Sequence, residues 1–174
     1  MGSKGWTIAT AIAAIIAFAP WAIYLAGLGK LTDVLTHRSF TGALKQVIVM
    51  LEWYTVSAQF INLVLIIIAC LARSLRRTHS MFVMFLAVNS ALIIVRATER
   101  ISQINLIDDG QDAATVLGVP GTTLAGKPLQ YLRAEACGQV ASATFNFLLA
   151  ILIGFAGTVP EEQGQLSYQP PVTV

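Results

Sequence analysis

Charge is scarce in this chain. Asp, Glu, Lys and Arg make up 11% of its 174 residues, where a soluble domain carries about 25%. So few charges cannot cover a water-facing surface. A hydrophobic share of 56% and a mean hydropathy of +0.71 point the same way, to a chain solvated by lipid. The net charge of +2, with no patch of interleaved basic and aromatic residues, argues against a nucleic-acid partner. Cysteine is scarce too. Cys70 and Cys137 form neither a CxxC nor a zinc spacing, which excludes a disulfide framework and leaves no metal site to expect. Walker, HExxH and GxSxG patterns are also missing. A non-enzymatic protein without cofactor is therefore expected.

What the chain does have is apolar length. A hydrocarbon core of about 30 Å takes roughly 20 helical residues. Four segments are long enough, at about residues 6–28, 47–72, 81–105 and 135–159. The expected fold is all-α, an integral membrane four-helix bundle of up-down topology over residues 1–159. Residues 160–174 are polar and proline-containing and read as a flexible tail.

The first run follows Lys4 and resembles a secretory signal, with Ala17-Phe18-Ala19 like a cleavage site. Pro20 would stand just after the cut, and the apolar stretch continues to Leu28, so a span is the better reading. Ala9, Ala13 and Ala17 recur every fourth residue, a spacing that lets helices approach closely in lipid. Pro20 is expected to kink this helix. Trp6, Trp21 and Tyr24 fit an interfacial belt, with interior packing open for Trp21. Leu31 to Gln46 is too polar to span and reads either as a surface helix or as an ordered loop.

In the second run Glu52, Thr55, Gln59 and Asn62 fall on one stripe, which must face protein or water rather than lipid tails. Interhelical hydrogen bonding is the leading reading of that stripe. Arg73 to Ser80 reads as a short basic turn. Such turns stay cytoplasmic, which would put both termini there. The third run is apolar from Met81 to Val95 apart from Asn89 and Ser90, about 22 Å at 1.5 Å per residue. It must therefore continue through Arg96, Glu99 and Arg100, which share one face with Gln103. Charges at such depth either snorkel to the interface or pair inside a bundle, and snorkelling is the leading expectation.

Ile104 to Arg133, with Asp108, Asp109 and Asp112 among glycines and prolines, reads as a solvated loop. In the fourth run Gln139, Ser142 and Asn146 form a polar stripe, and Gly138 with Ser142 makes a small-xxx-small pair. An up-down bundle would bring Glu52, Arg96, Glu99, Arg100 and Glu135 into one leaflet. There they would either pair with each other or hold a lipid phosphate or organic anion.

Four spans with short tails, small and polar helix faces and no soluble domain resemble the MARVEL-type tetraspan proteins. That likeness implies a non-enzymatic organiser of membrane assemblies. Separately, Arg96-Ala97-Thr98-Glu99-Arg100-Ile101-Ser102-Gln103, with Glu135 beyond the loop, is similar to the paired-arginine signature of fungal RTA-like lipid-stress membrane proteins. That family carries an aromatic where Glu99 stands, an acid where Gln103 stands, and seven spans. Together these readings lead to an expected structural or auxiliary membrane subunit. Its partners would be membrane lipids and either copies of itself or a larger complex, met through the small-residue faces of spans one and four. The alternative is a lipid- or small-solute-handling protein using the Arg/Glu cluster.

Overall fold

The structure, a computed structural model, describes residues 3–36, 43–118 and 126–158. Its helices are α1 (Ser3–Ile16), α2 (Phe18–Thr36), α3 (Ala43–Leu71), α4 (Leu75–Asp108), α5 (Ala113–Val116) and α6 (Pro128–Thr158). There is no strand among the described residues. Four stretches are long and apolar enough to cross a membrane: Lys4–Val34, Met50–Leu71, Leu75–Asp108 and Pro128–Thr158. The expected tail lies outside the described residues, as do His37, Arg38 and Phe40 of the expected surface segment.

Pro20 accounts for the division between α1 and α2. It has no N–H to offer the carbonyl four residues back, at Ile16. The helix opens at Ala17, while bonds from Ala17 N to Ala13 O (3.0 Å) and from Trp21 N to Ala17 O (3.4 Å) keep the two halves continuous. The helix is thus interrupted where the kink is expected.

The helices are longer than their hydropathy predicts, because polar residues at a helix end cost nothing once they reach solvent. Leu31 to Thr36 is the last part of α2 rather than a separate surface element. The expected basic turn at 73–80 shrinks to a few residues. Ser74 N bonds Ala69 O at 3.0 Å, closing α3 with Arg73 in the left-handed region at φ 55°. Arg76 to Ser80 already belong to α4. Helix α4 has 34 residues, about 51 Å at 1.5 Å per residue. Helix α6 starts at Pro128, before the expected Glu135, with proline suited to a first turn that needs no N–H.

Helix α6 is the axis of the bundle, lying along α1, α2 and α4. Its buried positions change character along its length. Glu135, Gln139, Ser142 and Asn146 come first, then Leu149, Ile153 and Ala156. The apolar half packs with Ala13, Ala14, Leu63, Ile66 and Leu86. The closest approach is to α2. A Cβ on Gly27 would lie 2.7 Å from Glu135 N, and one on Gly138 2.7 Å from Tyr24 Cα. The outside is apolar, with Ile12, Ile61, Ile68, Val88, Val95 and Phe147 all exposed. Polar residues inside and hydrocarbon outside reverse the usual order of a soluble protein.

Candidate functional site

Arg96 and Arg100 lie one helical turn apart on α4 and face Glu52 of α3. Arg96 donates from Nε and Nη2 to Glu52 Oε1, at 3.1 and 2.7 Å, and from Nη1 to Glu99 Oε2. Arg100 donates from Nη2 to Glu52 Oε2 at 2.6 Å and from Nε to Glu135 Oε1 at 3.0 Å. Its Nη1 reaches Gln103 Oε1 at 2.8 Å. Each oxygen of Glu52 thus serves one arginine. Glu52 and Glu135 are 0% exposed, Arg96 4% and Arg100 5%.

The five residues that the sequence singled out do come together, but the snorkelling expectation is wrong for both arginines. Arg96 sits 12 residues before the end of α4 at Asp108, about 18 Å of helix. Its guanidinium turns to a carboxylate across the helix interface rather than toward that end. Glu99 is the one cluster member whose side chain keeps substantial exposure, 39%.

One layer further in, Gln59, Asn89 and Asn146 join α3, α4 and α6. Gln59 Nε2 donates to Asn146 Oδ1 at 2.6 Å, and Asn146 Nδ2 returns a bond to Gln59 Oε1 at 2.9 Å. Asn89 Nδ2 donates to the same Gln59 oxygen. Asn62 is buried on the same stripe. Thr55 is buried on that stripe too, but its hydroxyl bonds Leu51 O of its own helix at 2.8 Å rather than a neighbouring helix.

Between these layers, five buried polar atoms have no hydrogen-bond partner among the described residues. They are Tyr24 Oη, Glu135 Oε2, Gln139 Oε1, Ser142 Oγ and Asn89 Oδ1. The Tyr24 hydroxyl faces Gln139, with Glu52, Glu135 and Arg100 around it, yet stands outside hydrogen-bonding geometry. Gln139 donates to Glu135 Oε1 at 3.3 Å. Three carboxylates against two guanidiniums leave the cluster one negative charge in excess when all are ionised. Its oxygens and nitrogens suit charge neutralisation and hydrogen bonding. The cluster assembles no nucleophile with an adjacent base among the described residues.

The small-residue faces are occupied by the chain itself. Ala13, Ala17, Gly138 and Ser142 are buried inside the bundle and Ala9 is half-buried, so they do not form the expected contact with a partner. Small side chains are what let α2 and α6 meet closely, and a close internal contact covers that surface. The interfacial-belt expectation fails for Tyr24, which is 0% exposed. Trp21 takes the alternative reading, donating from Nε1 to Val56 O at 3.0 Å.

Sequence reasoning passed over Tyr24 and Gly27, which cover the Glu135 side of the cluster. Their signal was the helical spacing Tyr24, Gly27, Leu28, Leu31, all four buried. Their apolar neighbours hid it. The loop acids go to local work: Asp108 pairs with Arg133 at 2.9 Å, and Asp112 caps α5 by accepting from Thr115 N at 3.0 Å. Comparison with protein-family models, with curated proteins and with solved structures finds no match.

Proposed function

We propose that the chain is an integral membrane protein of four up-and-down spans that serves as a structural or auxiliary subunit. One observation carries this reading. The cluster's charges are turned inward and answer one another beneath an apolar exterior, Glu52 pairing with Arg96 and Arg100, and Glu135 with Arg100. Such a cluster fixes which helix faces meet and at what register. An arginine site for a lipid or solute anion would need open guanidiniums, so the closed pairing gives that alternative less support.

With Ala13, Ala17, Gly138 and Ser142 covered, the exposed aromatic residues Trp53, Tyr54 and Phe60 of α3 are one apolar surface left for association. The test is native mass spectrometry of protein extracted gently from its own membrane, after alkaline carbonate washing. Retention through the wash with a defined oligomer or a constant protein partner is the expected result. Release by carbonate removes the membrane reading, and a bare monomer removes the subunit reading.

A further inference from the structure

At the other end of the bundle a cavity of about 310 Å³ opens beside the start of α1 and the turn from α3 into α4. Its charged lining residues are Lys4, Arg73 and Arg76, all cationic, and its apolar wall includes Ile8, Leu75 and Ala156. Two helices begin here. Helix α1 starts at Ser3 and α4 at Leu75, and Ser74 gives α4 no side-chain cap. Helices α3 and α6 end here, at Leu71 and Thr158, so the helix dipoles largely cancel and the three cations are what make the pocket attractive to an anion. Arg73 holds the left-handed conformation, φ 55°, where glycine or asparagine is the less strained choice.

We propose that this basic pocket binds the phosphate of an anionic phospholipid, with an acyl chain lying along α1. The exposed row Ile8, Ile12 and Ile15 begins in the pocket wall and continues down one helix face, at 61%, 53% and 59% exposure. A free phosphate would use the cations but not the apolar wall or the isoleucine row. Basic pockets at the ends of membrane-spanning helices suit lipid headgroups. The site is separate from the Glu52 cluster, and it rests on the membrane reading proposed above.

The test uses the full chain in detergent and native mass spectrometry with phosphatidylglycerol, with phosphatidylcholine of the same acyl chains, and with inorganic phosphate. Phosphatidylglycerol should be retained at one per chain in preference to phosphatidylcholine. Arg73→Gly should weaken that binding about fivefold, and Arg73→Gly with Arg76→Gln about 30-fold. Because glycine relieves the backbone at 73, Arg73→Gly should raise the melting temperature while it lowers lipid retention. Arg133→Gln, at the opposite end, should leave lipid retention unchanged. Equal retention of both lipids, or unaltered retention in the double variant, overturns the site. Displacement of the lipid by equimolar inorganic phosphate overturns the lipid assignment in favour of a free anion. A protein that resists carbonate washing yet shows no lipid preference fails this inference alone, whereas one released by carbonate fails the membrane reading with it.

Discussion

Glu52 and Arg100, 48 residues apart in sequence, meet at 2.6 Å through the carboxylate oxygen that Arg96 leaves unused. Glu52 is therefore the shared counter-ion of two buried cations. Removing it should cost about 3–5 kcal/mol, since it breaks two buried pairs at once and leaves Arg96 with only the partly exposed Glu99 and Arg100 with only Glu135. Unfolding of Glu52→Gln in detergent micelles, followed by circular dichroism, measures this. Glu99→Gln removes a partly exposed pair and should cost about 0–1 kcal/mol. Equal losses in the two variants would refute the central role of Glu52.

Glu135→Gln should be tolerated better than Glu52→Gln. It breaks one arginine pair where Glu52→Gln breaks two, and the new amide can still accept from Arg100 while donating toward the orphaned Gln139 oxygen. The same unfolding measurement compares the two. A larger loss at 135 than at 52 would contradict the central place given to Glu52.

The close contact of α2 with α6 predicts opposite outcomes for four glycines. Gly27→Ala and Gly138→Ala would press a methyl onto facing backbone, at about 1–3 kcal/mol each. Gly29→Ala and Gly154→Ala meet nothing within 4 Å and should gain about 0.5–1 kcal/mol from helix propensity. Melting temperatures of the four variants, taken together, check the sign of each.

Gln59→Leu strips Asn89 and Asn146 of their shared partner. At about 0.6 kcal/mol per interhelical contact in membrane helices, the loss should be about 1–2 kcal/mol. Adding Asn89→Leu and Asn146→Leu should restore part of it, because neither asparagine is then left without its partner. A triple variant whose loss equals the sum of three single losses would show that the amides do not act as a unit.

Sidedness is testable in a chain lacking Cys70 and Cys137. Arg77→Cys and Asp109→Cys place thiols at exposed positions near opposite ends of α4. The basic end is expected to face the cytoplasm, so an impermeant maleimide applied outside intact cells should label position 109 and spare 77. Labelling of both positions, or of 77 alone, would reverse or break the assigned orientation.

The charged cluster was legible because four-residue spacing on one helix survives any choice of partner. Arg96 and Arg100 must share a face, as must Glu52 with Gln59. Which way the arginines turn was misjudged, since spacing along one helix does not show that Glu52 and Glu135 stand across the interface from them. Tyr24 and Gly27 were hidden because an apolar stretch has no polar side to mark its inner face. The turn at Arg73 was expected, but its short extent was hidden for another reason. Its left-handed residue is an arginine, where pattern reading looks for glycine.

The cluster's three helices also leave the ribosome at different times. Glu52 is made first, the two arginines next, and Glu135 appears 35 residues after Arg100. Once α3 and α4 are made, Arg96 and Arg100 have Glu52 to share. Until α6 arrives, Arg100 lacks its second carboxylate. The order of synthesis is thus an order of neutralisation.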